Sequence, residues 1–258
     1  MLFDTHCHLT DERLRPDIDD VVSGALKGGV ARLVTVGCDR ESSLESAEIA
    51  ARYPEVYCTV GIHPHDAVTA TREIYEEFRA LAADNAKVLA IGEIGLDYHY
   101  DLSPRDVQRR VFGEQLRLAR ECELPVCLHV REAYEDCRAL LEENRDCLGG
   151  GVLLHCYSGS AEMVKVFSEY DAYFAFGGAI TFKGARRNLE ALAAVPLDRL
   201  LLETDAPYMT PVPYRGQTNR PEYVALVADK AAEVLGTSRE EIEKITTENA
   251  KRFFKRMK

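Results

Sequence analysis

The sequence predicts an α/β protein, a closed (β/α)8 or TIM barrel with an extra helix or helices at its carboxyl end. Three observations carry that prediction. Short apolar, β-branched runs alternate with longer amphipathic segments, eight of each in strict order. Such an order implies parallel strands joined by right-handed crossovers. The runs are almost unbroken in apolar character, which suits strands buried on both faces. Eight units in 258 residues match a closed barrel better than an open doubly wound sheet.

The first strand is LFDTHCHL from Leu2, followed by the helical stretch DIDDVVSGALKGG. ARLVTVG from Ala31 precedes SSLESAEIAARYP, and VYCTVGI from Val56 precedes REIYEEFRALAAD. KVLAIGEI from Lys87 leads into SPRDVQRRVFGEQLRLARE, whose Ser103-Pro104 start is a helix-initiation signal. PVCLHV from Pro125 goes with REAYEDCRALLEEN, and GVLLHC from Gly151 with SAEMVKVFSEY. AYFAFGG from Ala172 goes with ARRNLEALAAV, and LLLETD from Leu200 with RPEYVALVADKAAEVLG. The remainder, SREEIEKITTENAKRFFKRMK, reads as the additional helix or helices. No linker, low-complexity tract or charge block interrupts the chain, so one domain spanning 1–258 is expected.

A hydrophobic fraction of 46% with 29% charged residues leaves ample apolar material for a core. The net charge of −11, from 43 acids against 32 bases, argues against wrapping duplex nucleic acid or lying on an anionic membrane. It leaves room for a small, locally positive active site. None of the eight cysteines forms a C-x-x-C pair, and Cys7, Cys58, Cys127 and Cys156 sit inside apolar runs, where free cysteine behaves as a small hydrophobe. No apolar stretch approaches the roughly 20 residues of a spanning helix. The start, MLFDTHCH, lacks the basic flank and apolar run of a secretory signal. A reduced, cytoplasmic protein is expected, and nothing in the chain demands an obligate protein partner.

The active site of such a barrel is built at the carboxyl ends of its strands. The metal-capable residues fall there. His6 and His8 close the first strand, and His63 and His65 follow the third. Glu93, His129 and His155 end the fourth, fifth and sixth, and Asp205 the eighth. Period-two alternation puts Asp4, His6 and His8 on one face and Thr5 and Cys7 on the other. Two imidazoles on one face can meet a single ion, and Cys7 points away as packing. Asp4, one step deeper, suits a supporting role, accepting a hydrogen bond from a ligating imidazole. Glu203 stands behind Asp205 by the same logic. Leaving all these polar groups unpaired at one barrel mouth would be costly; a shared metal centre removes the cost.

DTHCHL, VGIHPH, IGEIGLDYHY, LHVREA, HCYSG, GGAITFK and ETDAPY, in this order and spacing, resemble the TatD family of metal-dependent deoxyribonucleases, among the amidohydrolase-like barrels. The resemblance covers essentially the whole chain, and the intact first-strand H-x-H places it with the branch that has a complete first site. It implies two divalent ions. His6, His8 and Asp205 would hold one, His129 and His155 the other, with Glu93 as the bridge. Imidazole-rich ligation favours zinc or manganese over magnesium. Two cations against Glu93 and Asp205 leave roughly +2 at the mouth, which gives a phosphodiester a reason to bind. Glu93 and Asp205 are the catalytic candidates, Asp205 orienting or deprotonating the attacking water. His63 and His65, without a metal slot in this scheme, go to substrate phosphate or leaving-group contacts, with Arg131 as the leading cation. Lys183 and Arg215 are further cations near strand ends, and Tyr157, Tyr98 or Tyr208 offers a ring for a base.

The expected function is deoxyribonuclease action at the 3′ ends of single strands, DNA first and RNA as an extension. An acidic chain accords with short contacts to strand ends. Alternatives using the same metal site are an amidohydrolase-like enzyme on a small metabolite and a D-aminoacyl-tRNA deacylase. A non-catalytic metal-binding module is a further alternative, which an intact ligand set disfavours. One departure touches the substrate contacts. The loop after the eighth strand reads RGQTNRPEY, with Gln217 and Arg220 where the family commonly has Lys and Glu.

Overall fold

Eight apolar runs become eight strands because each has neighbours that bury both of its faces. In the computed structural model, which describes residues 1–257, the strands are β1 (Leu2–Cys7), β2 (Val30–Val36), β3 (Val56–Val60), β4 (Val88–Asp97), β5 (Val126–Arg131), β6 (Val152–Leu154), β7 (Tyr173–Phe176) and β8 (Leu200–Leu202). Every residue of β1, β3, β4, β6, β7 and β8 is buried. They form one eight-stranded sheet in the order β1 to β8. The pairs β1–β2, β3–β4, β4–β5, β5–β6 and β7–β8 are parallel. An isolated parallel bridge between Cys7 and Ala206 returns the chain after β8 to β1. The fold is a (β/α)8 barrel, as the alternation predicts.

The helices are α1 (Ile18–Lys27), α2 (Arg40–Arg52), α3 (Arg72–Asp84), α4 (Arg105–Glu121), α5 (Tyr134–Glu143), α6 (Ala161–Ser168), α7 (Arg186–Ala194) and α8 (Val224–Leu235). The expected addition is α9 (Arg239–Phe253). Local chemistry fixes their ends. Asp39 caps α2 by accepting the Ser42 N–H at 2.7 Å while Ser42 Oγ accepts the Asp39 N–H at 3.0 Å. No helix among the described residues is long and apolar enough to cross a membrane.

The chain divides into two compact units. One comprises Met1–Thr35, His155–Val166 and Tyr173–Arg252. Within it the Asp205 N–H donates to the His6 carbonyl at 2.9 Å and the His8 N–H to the Ala206 carbonyl at 2.7 Å. These bonds carry the β1–β8 neighbourhood past the ends of both strands. The other unit comprises Val36–Leu154, Phe167–Ala172 and the residues from Phe253 on. Here Gly95, at φ +140°, lies so close to the His129 carbonyl that any Cβ would collide with it. That approach seats the carboxyl half of β4 directly on β5.

The strand bounds differ from the sequence reading in one systematic way. β1, β6 and β8 stop at Cys7, Leu154 and Leu202, so His8, His155, Glu203 and Asp205 lie just beyond the ladder. The backbone there has left extended geometry: Cys156 is at φ +41° and Asp205 at φ +58°. Aspartate tolerates the left-handed region better than most residues. β4 runs the other way, continuing past Glu93 to Asp97 because its pairing with β5 persists to Asp97–Arg131.

Candidate metal centre

The first unit gathers three imidazoles and three carboxylates around the ends of β1 and β8. His8 Nε2 lies 3.3 Å from His6 Nε2 and 3.2 Å from Asp205 Oδ1, and His6 Nε2 lies 3.9 Å from the same oxygen. The His155 ring stacks on that of His6 at 3.9 Å. His155 Nδ1 is 3.5 Å from Glu203 Oε1. One ligand-capable atom from each of His6, His155 and Glu203 falls within 4.8 Å of the others, all three residues being buried.

In the second unit β3, β4 and β5 supply the equivalent. His129 Nδ1 is 2.8 Å from Glu93 Oε1, and His63 Nε2 is 3.4 Å from the same oxygen. These three residues form a second group with ligand atoms within 4.8 Å. The other nitrogen of His129 lies 3.1 Å from Asp97 Oδ2, which His65 Nε2 also meets at 2.9 Å. Asp97 Oδ1 accepts the backbone N–H groups of His99 and Tyr100 at 2.9 and 2.8 Å. The Cys38 thiol donates to Glu93 Oε2 at 3.6 Å.

Burial and hydrogen bonding pull these groups in opposite directions. Burial raises Asp4 to about 8 despite bonds from Thr204 and the His6 N–H. Burial also pushes Asp97 up, but bonds from His129, the Tyr100 N–H and His65 outweigh it and hold this carboxyl well below the ordinary range. Asp205 is likewise pushed up by burial and brought below its usual value by His8 and the neighbouring His155 and His6. Burial lowers His63 to about 4, so its ring is neutral near pH 7. Asp97 and Asp205 kept ionised, with His63 neutral, are of the donor type that a divalent cation takes.

Glu203 tests whether a cation suits the residues present. Its Oε1 accepts the Cys156 N–H at 2.5 Å, while its Oε2 is buried with no hydrogen-bond partner. Such an orphan costs about 1–3 kcal/mol, and a cation held with His6 and His155 would remove the cost. The donor set therefore fits a metal.

Each residue singled out in the sequence has a definite place. His6, His8 and Asp205 come together, as do Glu93 and His129. His155 stands with His6 and Glu203. Glu203 is among the ligand-capable atoms, whereas the alternation placed it behind them. The Asp4 carboxylate accepts the Thr204 N–H at 2.8 Å, the Thr204 hydroxyl at 2.5 Å and the His6 backbone N–H at 3.4 Å. The Cys7 thiol donates to the Val34 carbonyl at 3.3 Å, on the packing side. Arg131 stacks over Tyr100 at 4.7 Å. Arg215 lies over Phe182 at 3.9 Å, and Lys183 is exposed. Tyr157, at 1% exposed, is core.

The unusual loop resolves as architecture. Arg220 bonds Glu222 at 2.8 Å and the Asp20 carbonyl at 3.3 Å, tying the loop to α1, and the Gln217 carbonyl accepts the Thr210 hydroxyl at 2.6 Å. Asp97 is the residue the sequence reading missed. Period two from Glu93 through Gly95 to Asp97 is the signal that finds it.

Comparison with known proteins matches this geometry to a family. The family model described as TatD related DNase matches residues 3–255. The chain is 44% identical over 256 residues to an uncharacterized metal-dependent hydrolase, YabD, of Bacillus subtilis, covering 99% of each chain. It is 36% identical over 260 residues to the 3′-5′ ssDNA/RNA exonuclease TatD of Cronobacter sakazakii, covering 98% of this chain and 97% of that one. Among solved structures, the TatD homolog YJJV of Escherichia coli K12 superposes with a TM-score of 0.93 at 30% identity, over 98% of both chains.

Proposed function

The chain belongs to the TatD-related DNase family, and from that premise we propose that this metal-dependent hydrolase is a nuclease that removes nucleotides from the 3′ ends of single-stranded DNA, and of RNA. The observation that carries the reading is the pair of histidine–carboxylate groups at the carboxyl ends of the strands, one of which includes Glu203, a residue with a partnerless buried oxygen. The activity named for the Cronobacter relative supports the choice of substrate.

The proposed ligands are His6, His8, Glu93, His129, His155 and Asp205, for two divalent cations that are zinc, manganese or magnesium, with Glu203 added from its position beside His6 and His155. Divalent cations, when bound there, supply Lewis acidity toward water and phosphoryl oxygens. The side chains do the rest. Asp205, kept ionised, accepts the proton of the attacking water or orients it at Oδ1. Asp97 holds the His129 and His65 rings in register from one oxygen. Neutral His63 and the His65 ring contact the phosphate or the departing oxygen, and Arg131 supplies positive charge. Eight free cysteines accord with a reducing, cytoplasmic setting.

The test compares metal-loaded and chelated protein on single strands labelled at the 3′ or the 5′ end. Nucleotide release from the 3′ end is expected only with metal, and Glu93→Ala should lower the rate by roughly 10³-fold, equivalent to about 4 kcal/mol. Release no faster than in the chelated control would remove the nuclease reading.

A further inference from the structure

We infer that Tyr208 and Tyr100 are stacking platforms for unpaired nucleobases of the strand being cut, an assignment that rests on the nuclease reading. The two rings are built alike in separate parts of the chain. Tyr208 is 46% exposed, carries the Arg13 guanidinium 4.5 Å over its ring and meets the His8 ring in a T-shaped contact at 5.7 Å. Tyr100 is 55% exposed, carries the Arg131 guanidinium at 4.7 Å and meets the His65 ring in a T-shaped contact at 5.5 Å. Each is also tied by its backbone to a carboxylate residue of the neighbouring group. The Tyr208 N–H donates to the Asp205 carbonyl at 2.8 Å, and the Tyr100 N–H to Asp97 Oδ1 at 2.8 Å.

An exposed tyrosine is ordinarily unremarked, but Tyr208 is held in place. The Tyr208 hydroxyl donates to Asp11 Oδ2 at 3.0 Å, and Asp11 takes Arg13 in a fork at 2.8 and 2.9 Å. The buried Asn219 side chain donates to the Tyr208 carbonyl at 2.6 Å. Water gains nothing from a clamped, half-exposed ring; a flat apolar ligand does, because the ordering cost has already been met. Other rings are unsuited to the task. Tyr157 is buried, Tyr98 is less exposed than either Tyr208 or Tyr100, and Tyr214 is stacked on Tyr223 at 4.6 Å.

Within each unit the neighbouring chain points to the same ligand. Val68 and Leu102 are exposed apolar side chains in the loops after β3 and β4, as Tyr100 is, and Val212 and Tyr214 are exposed in the loop after β8, as Tyr208 is. With a net charge of −11 the chain has little capacity to grip many phosphates. Base stacking supplies affinity independent of sequence without that charge. Arg131, over the Tyr100 ring, offers positive charge to a phosphate next to a base stacked there.

The experiment compares KM for a short single strand carrying natural bases with KM for the same strand made abasic near its 3′ end, at one salt concentration. Wild type should show KM about tenfold higher on the abasic strand. Tyr208→Leu and Tyr100→Leu should each raise KM about tenfold on the natural strand and narrow its advantage over the abasic one, while Tyr208→Trp and Tyr100→Trp should restore it. Stacking is also read without turnover: 2-aminopurine in the strand should lose fluorescence on binding Glu93→Ala and keep it when the tyrosine is Leu. Equal KM on natural and abasic strands in wild type overturns the stacking assignment while leaving the nuclease reading intact, and needs no variant to fold. No nucleotide release by wild type above the Glu93→Ala background removes the reading itself, and the assignment with it.

Discussion

Asp4 and Asp97 are both fully buried carboxylates beside the histidines of the barrel's strand ends, yet their surroundings drive them apart. Asp97 accepts from two imidazoles and two backbone N–H groups, enough to keep it ionised against burial. Asp4 accepts mainly from Thr204, is repelled by Glu203 and rises to about 8. The groups around them differ likewise. In the β3–β5 group, imidazoles and carboxylates meet at 2.8–3.1 Å around His129 and His65. In the β1–β8 group the separations are 3.2–3.9 Å, and one Glu203 oxygen has no partner. The β3–β5 group is thus satisfied by its own hydrogen bonds, whereas the β1–β8 group keeps ligand capacity in reserve. Burial alone does not set a carboxylate's behaviour; the number of donors aimed at it does.

Three measurements break or sharpen that contrast. The largest effect is expected from Asp4. An acid whose folded pKa is raised holds its proton more tightly in the native state, so its contribution to stability falls as pH rises from 3.8 toward about 8. The fall is about 1.4 kcal/mol per pH unit across that window. In metal-free protein, Asp4→Asn should flatten the pH dependence of urea unfolding by this slope. An unchanged slope would show Asp4 ionised, and the contrast with Asp97 would disappear.

Asp97→Asn removes the acceptor shared by His129 and His65. Outer partners of ligating histidines are commonly worth 10–100-fold in affinity, so calorimetric titration with zinc or manganese should show roughly that loss. Wild-type affinity would mean the short bonds of the β3–β5 group do not hold its ligand geometry.

Glu203→Gln gives the smallest effect and the most diagnostic sign. Without metal the variant should be more stable by about 1–2 kcal/mol, since a buried orphan oxygen of a carboxylate is replaced by a neutral amide. With metal the order should reverse. Thermal unfolding with and without chelator reads both signs, and a variant less stable in both conditions would mean that Glu203 is simply structural.

Much of this was legible beforehand because it depends on local composition. The eight apolar runs, the position of α9 and the gathering of His6, His8, Glu93, His129, His155 and Asp205 at strand ends all follow from period and order. Asp97 was legible in principle from the alternation through Glu93 and Gly95. The apolar run KVLAIGEI ends at Ile94, and no feature of the sequence alone extends the strand from there to Asp97. Tyr157, Tyr98 and Tyr208 are equivalent as base-stacking candidates in the sequence; burial sets Tyr157 aside, and Tyr98 is less exposed than Tyr208.

The sequence by itself determined the fold class, the family and the chemical types at the strand ends, since alternation, motif order and donor chemistry are properties of neighbours along the chain. Only the tertiary structure decided which imidazole faces which oxygen, that Glu203 stands among the ligand-capable atoms, and that Arg13 and Arg131 each cover an exposed tyrosine. Those outcomes depend on where strands stop and where the backbone enters the left-handed region, as at Asp205 and Cys156. Such turns are fixed by contacts between residues distant in sequence, Asp205 with His6 and Cys156 with Glu203, which no period along the chain encodes.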